Sequence, residues 1–254
     1  MADSLAALVL AAGAGRRLRP LTDIRPKALC PVGNVPLVDL AIGRVAPVVG
    51  TGADAVAVNV HHGRDQLEAH LAGRVHLSVE EPVALGTAGA VANLRGWLDG
   101  RPVLVVNADA WHRADLGAMV EGWDGHRVRV LVAGRHGGEL RPASRVLGSV
   151  VPWSVVQSLP VEPSGLYEVC WRHHQAEGRL EVIAHDVAFV DCGTPADYLD
   201  ANLAVSGGQP VVGPGAVVEG TLVRSVVWPG GVVGAGEVLV DSVRVGETLT
   251  VRAR

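Results

Sequence analysis

Apolar positions in the first half of the chain fall in short runs of strand length, separated by stretches with helical spacing. Residues 5–12 (Leu-Ala-Ala-Leu-Val-Leu-Ala-Ala) are continuously apolar and empty into the turn Gly13-Ala14-Gly15. Helical spacing follows over 37–45, with Leu37, Leu40, Ala41 and Val45 on one face. The pattern then predicts a strand at 55–60, a helix at 66–71, a strand at 75–79, a helix over 86–98, a strand at 103–106, a helix at 116–123 and a strand at 128–132. This alternation predicts an α/β fold with a doubly wound, mostly parallel sheet, whose ligands sit beyond the carboxyl ends of the strands.

From Val211 the pattern changes. Val211-Val-Gly-Pro-Gly-Ala216, Val217-Val-Glu-Gly-Thr-Leu222, Val223-Arg-Ser-Val-Val-Trp228 and Val238-Leu-Val-Asp-Ser-Val243 place apolar residues at six-residue intervals between glycine turns. That repeat predicts a short left-handed β-helix at 211–254, joined through Ser206-Gly-Gly-Gln-Pro210 to a domain at 1–205. So few coils expose an end that the main domain or a second subunit must cover, so a homo-oligomer through the β-helix is expected.

Composition narrows the class. With 254 residues and 48% hydrophobic content the chain can bury a large core, and a net charge of −4 argues against a nucleic-acid partner. Cys30, Cys170 and Cys192 are too scattered for a disulfide framework or a zinc site, and read as buried free thiols of a cytoplasmic protein. Residues 5–12 lack a basic flank, so they read as a strand and not as a secretion signal, and no run reaches membrane-spanning length.

The chemistry concentrates after the first strand. Gly13 and Gly15 allow backbone N–H groups to approach an anion, and Arg16, Arg17, Arg19, Arg25 and Lys27 crowd the next residues. Lys27 is the only lysine in the chain. A compact ammonium reaches a single phosphate oxygen in a way that a planar guanidinium does not. Asp109 follows the apolar strand at 103–106, and Asp191 follows Val187-Ala-Phe-Val190. Either one alone is a helix cap or a hard-cation ligand. Two at matching strand ends, beside a phosphate-type loop, favour Mg²⁺ held between carboxylates and phosphates. His61-His62 reads as a polar turn, because adjacent side chains at a strand end point apart.

These residues carry a resemblance. Leu10-Ala-Ala-Gly-x-Gly-x-Arg-Leu-x-Pro-Leu-Thr-x-x-x-Pro-Lys27 resembles the signature of the sugar-1-phosphate nucleotidyltransferases, the NDP-sugar pyrophosphorylases. Asn107-Ala-Asp109 is similar to that family's metal motif, and Val-Asp191-Cys-Gly-Thr-Pro195 to its Asp-x-Gly-Thr-Pro element. Ala176-Glu-Gly-Arg-Leu180, Ala196-Asp-Tyr-Leu-Asp-Ala-Asn202 and the β-helix tail resemble the mannose-1-phosphate guanylyltransferase branch. The resemblance implies a nucleotide-diphospho-sugar transferase fold, and a cytoplasmic enzyme that joins an NTP to a sugar- or cyclitol-1-phosphate and releases pyrophosphate.

Residue by residue, it implies catalytic roles for Arg17, Lys27, Asp109 and Asp191, with Mg²⁺ on the two aspartates. It implies nucleotide contacts from Leu10, Ala12, Gly13, Gly15, Arg16, Arg17, Glu81, Gly86, Thr87 and Asp109. In Glu80-Glu81-Pro82 one carboxylate accepting two N–H bonds would match guanine, with Gly86 open to a flat ring; either glutamate is equally readable as a solvated loop residue. GTP is therefore the expected nucleotide. UTP with an amino-sugar phosphate is the first alternative, and a regulatory subunit binding nucleotide sugar without turnover the second. The family's Glu-Lys-Pro hairpin is absent from 133–147; Arg141 or Arg145 is the candidate phosphate clamp there, with Gly148 beside the sugar.

Overall fold

A computed structural model of the chain describes residues 5–135 and 138–254; His136 and Gly137, within the shortened 133–147 region, lie outside the described residues. The chain divides into two compact units, and the division is not the 1–205/211–254 split. One unit holds Met1–Gly13, Ala41–Ala108 and His112–Phe189; the other holds Ala14–Leu40, Asp109–Trp111 and Val190–Arg254.

The first unit is built on a seven-stranded sheet. Its strands are β1 (Ala6–Leu10), β2 (Val56–Val60), β3 (His76–Val79), β4 (Val103–Asn107), β5 (Val128–Ala133), β6 (Val146–Val151) and β7 (Leu180–His185). They lie in the order β7-β5-β6-β4-β1-β2-β3. Every pairing is parallel except those of β6, which runs antiparallel to both β4 and β5. Ala6, Ala7, Leu8 and Val9 have no exposed surface, which is why β1 reads as an unbroken apolar run without alternation. Leu8 stands in register with Ala57 and Val105, at the centre of a core that Val91, Leu94, Val130, Val151 and Leu166 extend.

Helix predictions hold where the apolar stripe is long. They shorten where glycine interrupts it. α1 spans Leu37–Val49 and α2 spans Arg64–Leu71. The helix expected over 86–98 is α3 (Gly86–Asn93) followed, after Leu94, by the single turn Arg95–Leu98. The helix expected at 116–123 is one tight turn, Leu116–Met119, where the Asp115 carboxylate accepts from Gly117 N–H at 2.8 Å and Gly122 takes a positive φ. β6 went unpredicted because Gly148 and Ser149 break its apolar run.

The second unit carries the β-helix. Val211–Val212, Val217–Val218 and Thr221–Val223 form one coil, stacked in parallel on Val226–Val227, Val232–Val233 and Val238–Val240. Ser242–Val245 pairs with Val226–Val227 and closes with Leu249–Arg252 as a hairpin. Its apolar interior is continuous with α4 (Pro195–Ser206). Trp228, Val226 and Val243 share a core with Tyr198, Leu199, Leu18 and Leu21. The Trp228 indole N–H donates to Tyr198 Oη at 2.9 Å, and Tyr198 Oη donates to the Pro31 carbonyl. The Arg25 guanidinium lies 4.5 Å from the Trp228 ring centre, a cation–π contact. Much of the cover that a short β-helix needs thus comes from its own unit.

The three thiols are buried and free, and burial pushes each up to about 12. Among the described residues no helix is long and apolar enough to cross a membrane.

His112 is 5% exposed, and its Nδ1 accepts from Ala114 N–H at 3.3 Å, which requires the neutral ring. Burial, then the charges of Arg44 and His185, push it down from 6.5 to about 3. Between those two values the unfolded chain binds a proton that the native ring refuses, so stability falls as pH drops from 6.5 toward 3. Urea titrations at stepped pH are expected to show this slope, and His112→Phe to reduce it; an unchanged slope in the variant would assign it to other groups.

Candidate active site

Within the second unit the site grows out of the glycine turn. Gly15 sits in the left-handed region at φ +59°, where a side chain is strained. A Cβ there would stand 2.9 Å from Thr22 Cγ2 and 3.0 Å from Lys27 Cβ. The Thr22 hydroxyl donates to the Gly15 carbonyl at 3.0 Å. The turn is therefore folded back on the segment that carries Lys27, and only glycine permits that approach.

Lys27 opens a short turn, Lys27–Leu29, directly after Pro26. Its side chain is only 9% exposed, yet the ammonium reaches two carboxylates: Asp109 Oδ2 at 3.0 Å and Asp191 Oδ1 at 3.5 Å. Asp191 Oδ2 faces the Arg17 guanidinium at 3.5 Å, and Arg17 itself is largely exposed. The two aspartate segments are tied by the backbone, with Cys192 N–H donating to the Asp109 carbonyl at 3.0 Å. A Cβ on Gly193 would lie 2.8 Å from Arg17 Nη2 and 3.1 Å from Asp191 Oδ2, so the Asp-Cys-Gly-Thr-Pro element leaves room for these side chains. Thr194 caps α4 by accepting from Asp197 N–H.

The residues fit a hard divalent cation. Both carboxylates are half-exposed and aimed at one cationic point, and Mg²⁺ is held by one or two carboxylates plus substrate phosphates. Among the described residues no group of three metal-ligating side chains occurs, so further ligands would come from substrate or water. Arg16 is exposed beside Arg17.

The first unit holds a separate set. Gly13 is exposed with open space around it, and Leu10 and Ala12 lead up to it. Ala11 N–H donates to Asn59 Oδ1 at 2.7 Å, Asn59 Nδ2 donates to Glu80 Oε1 at 2.8 Å, and Glu80 Oε2 accepts from Leu85 N–H at 2.7 Å. Glu80 is 1% exposed, so both its oxygens are spent bracing the loops after β1 and β3. Glu81, the residue expected to read a base, is exposed and ion-paired with Arg64.

Gly86 does face a flat group, but the group is the chain itself. A Cβ there would be 2.6 Å from the Ser164 carbonyl oxygen. The Thr87 hydroxyl oxygen accepts from Leu166 N–H at 2.7 Å, so the 85–89 turn is clamped to 162–166. His61 and His62 bond the carbonyls of Glu80 and Ala12 through Nδ1, as a polar turn does.

Gly148 lines a cavity at the ends of β1, β4 and β6, with Leu10, Thr87, Asn107, Ser149 and Trp171 around it. Arg141 and Arg145 take no part in that lining. Arg141 is exposed and pairs with Glu139 at 3.6 Å, and Arg145 is exposed. Sequence reasoning missed Asn59, Ser149 and Trp171, and it offered Glu80 as a base-reading or solvated carboxylate where the structure makes it a buried brace. The one usable signal was Asn59, a lone polar residue inside an apolar strand.

Comparison with known proteins bears directly on this arrangement. The nucleotidyl transferase family matches residues 6–136, which carry the glycine turn, Lys27 and Asp109. The chain belongs to the nucleotidyl transferase family. Among relatives of this nucleotidyltransferase, an N-acetylmuramate alpha-1-phosphate uridylyltransferase of Caulobacter vibrioides is 30% identical over 232 residues, covering 77% of this chain and 94% of that protein. A mannose-1-phosphate guanylyltransferase of Mycobacterium tuberculosis is 31% identical over 120 residues, covering 45% of this chain and 33% of that one. A crystal structure from Thermus thermophilus, named as a mannose-1-phosphate geranyltransferase, matches with a TM-score of 0.71 at 19% identity, covering 98% of this chain and 95% of the other. At that identity the likeness speaks to the fold alone.

Lys27→Met keeps the buried stem and removes the charge. The two carboxylates are left facing each other but are half-exposed, so the loss of stability is expected to be on the order of 1–2 kcal/mol, whereas turnover is expected to fall at least about 100-fold. Denaturant melts and pyrophosphate-release rates read the two effects separately. A variant that loses stability and rate in proportion would make Lys27 a structural ion.

Proposed function

We propose that this nucleotidyltransferase joins an NTP to a sugar-1-phosphate. The observation that carries the reading is the Lys27 ammonium held between the carboxylates of Asp109 and Asp191 behind the Gly15 turn. An oxygen of the sugar-1-phosphate attacks the α-phosphorus of the NTP, a new P–O bond forms, and the bond to the β-phosphate breaks to release pyrophosphate. A phosphate monoester is already largely dianionic at neutral pH, with a second pKa of about 6, so the nucleophile needs no general base. What the step requires is charge neutralisation and in-line positioning.

Each side chain has a role in that scheme. Exposed Arg16 and Arg17 hold the leaving pyrophosphate with the N–H groups of the glycine turn. Lys27 neutralises charge at the α-phosphate. Asp109 and Asp191 would hold Mg²⁺, which when bound supplies further charge neutralisation to the phosphates.

UTP is the favoured nucleotide. The guanine reading depended on a free carboxylate after β3, but both oxygens of Glu80 are bound by Asn59 and Leu85, and exposed Glu81 is turned to Arg64. The Caulobacter relative, matched along most of both chains, is a uridylyltransferase, whereas the match to the Mycobacterium guanylyltransferase spans a third of that protein. GTP is the second reading, supported by the Mycobacterium relative. A homo-oligomer through the β-helix is supported by exposed Val217, Val238 and Val240, and a cytoplasmic location by three free thiols.

A panel of UTP, GTP, dTTP, CTP and ATP against hexose- and acetamidohexose-1-phosphates, with Mg²⁺, tests the scheme by pyrophosphate release. Release with UTP is expected. Release with GTP in place of UTP would reverse the base assignment, and nucleotide-sugar binding without release from any pair would make the chain a regulatory subunit.

A further inference from the structure

β2 lies between β1 and β3, and near its end a polar residue interrupts the apolar run. Asn59 is 3% exposed and stands in register with Leu10 of β1 and Ser78 of β3. Its amide and the Glu80 carboxylate form a relay between two loops. Ala11 N–H donates to Asn59 Oδ1, Asn59 Nδ2–H to Glu80 Oε1, and Leu85 N–H to Glu80 Oε2. The residues just beyond β2 tie the same two loops again. His61 Nδ1–H donates to the Glu80 carbonyl at 2.8 Å, and His62 Nδ1–H to the Ala12 carbonyl at 3.0 Å. On its far side the turn at Leu85 is pinned too, since Ser164 N–H donates to the Leu85 carbonyl at 3.0 Å.

Stability alone does not call for this arrangement. Loop N–H groups at a sheet end can be met by water or by a neutral acceptor, whereas a buried carboxylate held by neutral donors is costly to desolvate. What the relay supplies is a fixed spacing, because a fully satisfied buried network is rigid. That spacing separates the loop leading to Gly13, which has open space around it, from the turn at 85–89. Both lie at the edge where a parallel sheet takes its ligand. The relay also has a required polarity. Two backbone N–H donors facing each other across two bridging side chains are both satisfied only by one amide and one carboxylate.

We propose that Asn59 and Glu80 are positioning residues for the nucleoside part of the NTP. Their relay holds the loop after β1 and the 85–89 turn, both in the first unit, at the separation that admits the nucleoside between them. Neither side chain touches the nucleotide, and the assignment rests on the nucleotidyl-transfer reading above.

The test uses Glu80→Gln, Asn59→Asp and the two together, all of which keep the side-chain shapes. In Glu80→Gln two donors meet, in Asn59→Asp two carboxylates meet, and the pair restores every hydrogen bond with the order reversed. A fourth protein, Asn59→Leu with Glu80→Met, fills the same space without the relay and is expected to fold, because replacing both partners by apolar groups costs little. Calorimetry reads the binding of UTP and of GTP with Mg²⁺, with inorganic pyrophosphate as the control that lacks a nucleoside; Tm is read without ligand. Each single variant and the apolar pair are expected to bind the nucleotide about tenfold more weakly, with pyrophosphate unchanged and the reciprocal pair back within about threefold of the unaltered chain. Unchanged nucleotide affinity in the apolar pair, equal weakening toward pyrophosphate, or a folded reciprocal pair that stays weak makes the relay a structural brace and overturns the assignment. Failure of both nucleotides to bind the unaltered chain overturns the transfer reading itself, and this assignment with it.

Discussion

A single ammonium between two carboxylates organises the chemistry of this chain. Lys27 is nearly buried along its stem, and its charge is offset by Asp109 at 3.0 Å and Asp191 at 3.5 Å. Removing either carboxylate shifts the local balance toward positive, and removing the lysine leaves two like charges facing each other. Arginine serves every other basic position, but a guanidinium is larger, planar and forked. A point charge meets two single oxygens and still leaves lone pairs on each for a metal or water.

The backbone makes that meeting possible. Lys27, Asp109 and Asp191 come from three separate stretches of the second unit. The third segment, Phe189–Asp191, is tied to Asp109 by the Cys192 amide. Three stretches far apart in sequence are thereby brought to one point, and Gly15 lets the cation-bearing segment close on the turn. The β-helix contributes mass to the same unit through Trp228 and Tyr198, a direct link from the tail to α4.

The sequence was readable where one residue type has one physical use. A glycine turn crowded with cations, a unique lysine and two aspartates at strand ends each pointed to phosphate and metal chemistry, and Lys27, Asp109, Asp191 and Arg17 do cluster. The alternating apolar runs likewise foretold the sheet. Valine spacing foretold the β-helix coils. It was unreadable where neighbours decide. Glu80 and Glu81 are identical in chemistry, and only the placement of Asn59 and Arg64 buries one and exposes the other. Gly86 signals a close approach without saying by what, and the Ser164 carbonyl supplies the answer. Arg141 and Arg145 had the right charge but stand exposed and apart from the Gly148 cavity.

The central claim is that Asp109 and Asp191 act on one shared cationic point and not as independent contributors. A double-mutant cycle on kcat/KM with Asp109→Asn, Asp191→Asn and the pair, at saturating Mg²⁺, measures this most directly. Residues that act as a unit lose most of their effect at the first substitution. The double variant is therefore expected to be scarcely slower than the worse single variant. Losses that add in free energy, the fold-reductions multiplying, would contradict the account.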